Sequence, residues 1–250
     1  MNTLESVLKP ALGYPRKPLR RLVLYGWNYW FVAVFEADLV HPKKTAVVVI
    51  DLQHDFCSRK GAVCSRRGEV SKKARLGFDP RPIQAMLPRL EKFLEQARNA
   101  GVPVIFVRMN EYLGTMAPNV QRKKRDAEVK SCCVPGTPGF EYYKLKPQQG
   151  DHEVIKNSYD ALSSPDLRRL LRKKKIENLI FTGAYTNFCV DSSVRSALTR
   201  GYHVIVPKNL VATVREWKAH HTSSIWNWSA LFAHVVKPQE IVAAWLKTGS

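Results

Sequence analysis

The segment TAVVVIDL at residues 45–52 constrains the fold more than any other part of the chain. From Ala46 to Ile50 it is a continuous, mostly β-branched apolar run with no polar alternation. A strand of that kind has no wet face, so it belongs inside a parallel sheet covered on both sides. VPVIFVRM, ENLIFTG and YHVIVP also read as strands, and HEVIK reads as a further short strand. Between them lie helical patterns. RPIQAMLPRLEKFLEQARNAG is amphipathic and stops at Gly101. SPDLRRLLRKKK begins with Ser164 as a cap and Pro165 at the first helical position. NFCVDSSVRSALTRG reads as one helix, as does VREWKAHHTSSIWNWSALFAH; PQEIVAAWL closes the chain, with HVVK as an edge strand before it. Alternating strands and helices predict a parallel sheet with helices on both sides.

Charge and cysteine usage limit the function classes. The chain carries +19 over 250 residues, with basic blocks near Arg16, at Arg122 to Arg125 and at Arg168 to Lys175. Such a balance suits nucleic acid, an anionic membrane or an acidic substrate. In the last block Leu167, Leu170 and Leu171 keep helical spacing and the charges fill the other face, which reads as a solvated surface. No zinc-finger spacing and no aromatic RNA-binding signature accompanies these runs, so no specific nucleic acid is expected. The cysteines are Cys57, Cys64, Cys132, Cys133 and Cys189, an odd number and too sparse for a disulfide framework. They read as reduced thiols of a cytoplasmic protein. The uncharged stretch from Leu22 to Phe35 is 14 residues long, short of the roughly 20 that span a bilayer. It is expected to pack as part of an N-terminal extension, residues 1–43, ahead of a catalytic domain at 44–250, with no stable membrane insertion.

The chemistry gathers where strands end. In open α/β sheets, sites form outside the carboxyl ends of the strands. Asp51 follows TAVVVI, Lys156 ends HEVI, and Cys189 follows ENLIFTG at the opening of the next helix. A thiol at a helix N-terminus, near an ammonium, is expected to have a lowered pKa. Asp51 is placed to take its proton and return it to a leaving nitrogen. The stretch from Asn110 to Gly150 is rich in charge, Pro and Gly, and reads as a long loop over the site.

Three motifs, VVVIDLQHDF, VIKNSYDAL and TGAYTNFCVDSSVRSA, followed by RGYHVIV, resemble the isochorismatase-like cysteine hydrolases in order and separation. The resemblance spans about Lys44 to Trp245. It implies an α/β fold of three layers, α/β/α, with a central, mostly parallel sheet. It implies a triad of Asp51, Lys156 and Cys189, a cis peptide between Ala184 and Tyr185, and an oxyanion hole from the backbone N–H groups of Tyr185 and Cys189. Homo-oligomers are common in the family and are expected here.

The same resemblance narrows the substrate. Nicotinamidases of the family carry a metal site in a His-containing stretch after the second strand; here that strand runs into VRMNEYLGTM, without His, and neither metal nor other cofactor is expected. Isochorismatases that cleave a vinyl ether often lack the cysteine, so C–N cleavage is favoured. CCVPGTPGFEYYKLKPQQGDHEVIKNSYDAL resembles the ureidoacrylate and biuret amidohydrolase branch. A small amide, ureide or carbamoyl compound is the expected substrate, with Gln53, Phe56, Tyr159, Asn187 and Phe188 as pocket candidates. Leu162, His54 and Asn209 depart from the family pattern; the first two are expected to reshape the pocket. The competing readings are a non-catalytic binding or scaffold protein on the same fold, a vinyl ether hydrolase, and nucleic-acid association through the basic runs.

Overall fold

The computed structural model describes residues 37–65 and 77–248. The apolar stretch from Leu22 to Phe35 and the basic block near Arg16 lie outside them. The described chain forms β1 (Thr45–Ile50), α1 (His54–Cys57), α2 (Arg81–Asn99), β2 (Val104–Met109), α3 (Pro118–Asp126) and β3 (His152–Lys156). It continues through α4 (Pro165–Lys173), β4 (Asn178–Ala184), a π-helical turn at Thr186–Val190, α5 (Asp191–Thr199) and β5 (His203–Pro207). The two-residue β6 (Val211–Ala212), α6 (Lys218–Asn227), a second π turn at Trp228–Phe232, β7 (His234–Val236) and α7 (Pro238–Thr248) complete it.

Among the described residues seven strands make one sheet in the order β3-β2-β1-β4-β5-β7, with β6 added beside β4. Every named pair is parallel. The six residues of β1 are all buried, as the unbroken apolar run requires. Its side chains part by alternation. Val47 and Val49 join a core with Ile83, Met86, Leu90 and Phe93 of α2 and Trp245 of α7. Ala46, Val48 and Ile50 join the opposite core with Leu167 and Leu171 of α4, Val194 and Ala197 of α5, and Trp228. The result is three layers, α/β/α, around a central parallel sheet.

The chain runs outward from β1 to β2 and β3, then returns to place β4 on the other side of β1. In folds of this kind the ligand crevice lies at that reversal, here the carboxyl ends of β1 and β4. Gly183 sits in β4 opposite Ile50. Its φ is +106°, and a Cβ there would lie 2.2 Å from the carbonyl oxygen of Ile50. Only glycine fits, and the two strand ends come together because of it.

Several local expectations are corrected. Ser164 occupies the N-cap position of α4, but its side chain makes no capping hydrogen bond. The cysteine helix opens as a π turn before α5, and the segment after Val214 divides into a 3-10 turn, α6 and a π turn. The loop between Asn110 and Gly150 contains α3, which holds the basic block Arg122 to Arg125. Leu162 is fully buried in the core rather than facing a pocket.

Candidate active site

Asp51 is the first residue beyond β1. Its amide donates to the carbonyl of Val107 at 2.9 Å, and its φ of 53° places it in the left-handed region. Asp tolerates that conformation better than most residues, and the turn carries the carboxylate out of the sheet plane. Lys156 closes β3 opposite Met109 of β2. Its Nζ lies 2.8 Å from Asp51 Oδ2, with both side chains essentially without solvent. The ammonium also donates to the carbonyl of Ser158 at 3.0 Å and faces Met109 Sδ at 3.4 Å. Neither Asp51 oxygen accepts a hydrogen bond of ordinary geometry. The ammonium meets the carboxylate as an ion pair, and the thiol of Cys189 interacts with both groups.

Cys189 comes from the π turn after β4 and is 5% exposed. Ser193, one turn on, donates through Oγ to the Cys189 carbonyl at 2.6 Å and accepts from the Ala161 amide at 2.9 Å. The turn is thereby tied to the segment that follows Lys156. The peptide bond between Ala184 and Tyr185 is cis. The Tyr185 hydroxyl donates to the Phe56 carbonyl at 2.9 Å. Thr186 Oγ1 pairs with His221 Nδ1 at 2.9 Å.

Burial sets the electrostatics. It raises the Asp51 carboxyl above its ordinary value, and Lys156 pulls it back only in part. Burial draws the Lys156 ammonium down, but the charge of Asp51, then Cys189, outweighs it and the group ends above its usual value. For Cys189 the expectation of a lowered pKa is overturned. Burial, then the adjacent Asp51 charge, pushes the thiol well above its ordinary value, and Lys156 offsets this only partly. The cysteine therefore rests as a thiol rather than as a standing thiolate.

The pocket candidates separate into two groups. Gln53 is fully buried and committed to backbone. Its Nε2 donates to the carbonyls of Met109 and Phe140 at 2.9 and 3.0 Å, and its Oε1 accepts from the Met109 amide at 2.8 Å. It braces the ends of the site rather than presenting a free group to a ligand. Phe56 is 8% exposed and packs edge-on against Tyr185 at 5.5 Å, as a core residue. Tyr159 and Phe188 are exposed, with ring centroids 6.1 Å apart. Asn187 lies within the π turn, not at its cap, and accepts through Oδ1 from Thr213 Oγ1 at 2.7 Å. A cleft of about 380 Å3 opens beside this turn, lined by Asn187, Phe188, Trp217, His220, Ser223 and Ser224. Asp51, Lys156 and Cys189 do not line it.

Two residues at this end of the molecule escape a reading of the sequence. Trp217 touches Phe188, Tyr185 and Phe78 at 5.0, 5.8 and 4.5 Å between ring centroids. Glu111, two residues past β2, is buried and close enough for its charge to act on Asp51 and Tyr159. A single aromatic or acidic residue in a segment without periodicity gives no signal of its own. Of the departures from the family pattern, His54 stacks edge-on against Tyr143 at 5.1 Å, and Asn209 is exposed. Among the described residues no three His, Cys, Asp or Glu side chains gather as a metal-binding set, and no helix is long and apolar enough to cross a membrane.

Fold and site together define a doubly wound α/β protein with a buried acid, amine and thiol at its switch point. The profile of the isochorismatase domain matches residues 45–240, and the chain belongs to the isochorismatase family. A ureidoacrylate amidohydrolase (RutB) of Agrobacterium fabrum is 31% identical over 181 residues, covering 67% of this chain and 75% of the relative. The corresponding protein of Stutzerimonas stutzeri is also 31% identical, over 179 residues, covering 65% and 67%. A cysteine hydrolase from Pseudomonas syringae pv. phaseolicola has the same fold, with a TM-score of 0.69 at 22% identity over 90% of this chain and 100% of its own.

Proposed function

We propose that the protein is a cysteine amidohydrolase that cleaves a C–N bond of a small ureide or carbamoyl compound. The observation that carries this reading is the enclosed Asp51–Lys156 ion pair with Cys189 against it, at the crevice between β1 and β4. The ureidoacrylate amidohydrolases among its relatives favour a ureide.

The steps follow from the resting protonation. Asp51, with its carboxyl already raised, takes the Cys189 proton as the thiolate attacks the carbonyl carbon. The total charge of the site is unchanged by this transfer, since one anion replaces another beside the Lys156 ammonium. The N–H groups of Tyr185 and Cys189 hold the oxyanion. Protonated Asp51 gives its proton to the departing nitrogen, the C–N bond breaks, and a thioester remains. Water loses a proton to Asp51 and attacks the thioester carbonyl; the C–S bond breaks, the acid is released, and the departing Cys189 thiolate takes the proton back from Asp51. Lys156 keeps whichever anion is present, the Asp51 carboxylate or the sulfur-derived one, tolerable in a dry site. Tyr159, Phe188 and Asn187 form the substrate-facing rim.

Residues 1–43 are an extension outside the catalytic domain, 44–250; the start of the family match at residue 45 supports this boundary. The described cysteines are all unpaired and buried, which supports a reducing compartment and hence the cytoplasm.

The test is ammonia release from ureidoacrylate, biuret, carbamoyl amino acids and nicotinamide, by wild type and Cys189→Ala, without added metal. Turnover of a ureide or carbamoyl compound that disappears in the variant is the expected result. No Cys189-dependent turnover across the panel would reject the reading.

A further inference from the structure

Glu111 is a buried carboxylate that the hydrolysis steps do not use. Every hydrogen bond to its side chain ends on one oxygen. Oε2 accepts from Lys124 Nζ, from the Cys132 amide at 3.3 Å and from Cys132 Sγ at 3.1 Å. Its own amide donates to the Cys133 carbonyl at 3.4 Å. Among the described residues nothing donates to Oε1. The side chain is 7% exposed and that of Lys124 is 13% exposed, so the pair is set in place rather than free to swing in water. Oε2 thus takes every protein donor among the described residues, and Oε1 is left without one, open to water or to a ligand.

Its position gives that oxygen a use. Glu111 follows β2, and the neighbouring Asn110 amide donates to the Lys156 carbonyl at 2.8 Å. Glu111 is thereby held one residue from the strand ends that carry Lys156, and its charge acts on Asp51 and on the Tyr159 phenol. Asp51 has work to do with its proton. Glu111, neutralised by Lys124, does not need one, and it offers a fixed acceptor with little net charge. Such an acceptor suits a neutral N–H group and does not call for a cationic substrate.

We propose that Glu111 is a specificity-determining residue whose Oε1 accepts a hydrogen bond from an N–H of the substrate's carbamoyl or ureide group. The inference rests on the amidohydrolase reading for its substrate class. It makes the N–H-bearing end of the substrate the part that is recognised, with Lys124 and the Cys132 amide holding the carboxylate in the orientation that frees Oε1. The preference arises because a site with a buried acceptor rejects analogues that leave it unpaired.

The experiment measures binding, which separates it from turnover. Calorimetry on Cys189→Ala compares 3-ureidoacrylate with its N′,N′-dimethyl analogue, then repeats both with Glu111→Gln added. In the Glu111→Gln protein the new amide oxygen has to face Lys124 and the Cys132 amide, which turns an NH2 toward the ligand. Loss of a charge-assisted hydrogen bond is expected to make the dimethyl compound about 10- to 100-fold weaker on Cys189→Ala. Adding Glu111→Gln should bring the ratio close to one. A ratio that survives Glu111→Gln would assign the preference to steric fit and overturn the proposal, as would failure of both compounds to bind Cys189→Ala. If Glu111→Gln does not fold, Glu111→Asp, which keeps the charge and withdraws the oxygen by one methylene, must give the same collapse of the ratio. Failure of the amidohydrolase reading shows separately, as absence of Cys189-dependent ammonia release by the wild type.

Discussion

Lys156 Nζ stands 2.8 Å from Asp51 Oδ2, and water reaches neither side chain. Two strands supply the pair. Asp51 leaves β1, Lys156 closes β3, and β2 lies between them. An ion pair in such a place recovers its desolvation cost only while both partners are present.

Removing one partner is therefore expected to be severe. Lys156→Met should lower unfolding free energy by about 3–5 kcal/mol, because the Asp51 carboxylate is left buried and alone. The double variant Asp51→Asn/Lys156→Met should recover much of that loss while remaining inactive. Urea unfolding of the three proteins checks both statements. Equal loss in the single and double variants would count against coupling of the pair.

Asp51 also controls the thiol, and the sign is informative. Burial and the Asp51 charge hold the Cys189 proton on, and Lys156 works against them. Asp51→Asn removes the second of these and leaves Lys156 favouring the thiolate. Alkylation of Cys189 by iodoacetamide at about pH 8 should then be faster than in wild type, by about tenfold for each unit by which the thiol pKa falls. Hydrolysis should be lost in the same protein, since the base is gone. In wild type the alkylation rate should keep rising with pH beyond the ordinary thiol range. Slower alkylation in the Asp51→Asn protein would contradict this account.

Gln53 gives a prediction that separates bracing from substrate contact. Its amide satisfies both backbone groups of Met109 and the carbonyl of Phe140. Gln53→Ala should cost about 2–4 kcal/mol, because buried groups are left without partners. The ratio of kcat/KM between two ureide substrates should stay within about twofold, as expected for a residue that touches neither. A large change in that ratio with stability intact would return Gln53 to the pocket.

These residues also mark what a sequence makes legible. Asp51 and Cys189 stand out because unbroken apolar runs announce the buried strands they follow, and the ends of such strands are where an α/β sheet receives ligands; Lys156 closes β3, an edge strand of alternating burial that gives a weaker signal. The parallel sense of the sheet and the helices on both its faces follow from the same runs. Other properties depend on packing between distant segments. The direction of the Cys189 shift is hidden because a helix N-terminus is visible in sequence, whereas burial beside Asp51 is not. Gln53 looks like a ligand contact because its position after β1 is suggestive, while its partners Met109 and Phe140 lie 56 and 87 residues away. Glu111 and α3 lie in a segment whose charges, prolines and glycines hide any period. Trp217 reads as part of a single long helix, though it belongs to the 3-10 turn before α6.

Gly183 tests how the crevice is assembled. Its φ of +106° is unfavourable for any L side chain, and an added Cβ would press within 2.2 Å of the Ile50 carbonyl oxygen. Gly183→Ala is expected to cost at least about 2 kcal/mol from strain alone. Melting curves with far-UV circular dichroism check the stability, and the same protein should lose hydrolysis, because β4 leads directly into the turn that holds Cys189.

Trp217 makes the last case. Its ring joins Phe78, Phe188 and Tyr185, so it backs the turn bearing Cys189 while forming a wall of the neighbouring cleft. It is only half-buried, and removing it costs less than removing a core tryptophan. Trp217→Ala should destabilise the fold by about 2–3 kcal/mol, below the full-burial range for aromatic truncation. In the proposed mechanism the chemistry sits on Asp51, Lys156 and Cys189, none of which Trp217 contacts through a ring. Its catalytic effect should therefore appear as a raised KM with a smaller change in kcat, the pattern of lost ground-state binding. Trp217→Phe should restore most of both quantities, because a phenyl ring preserves the contact with Phe188. If Trp217→Ala instead lowers kcat with KM unchanged, the ring holds the cysteine turn in register and the cleft is not the route by which substrate is held.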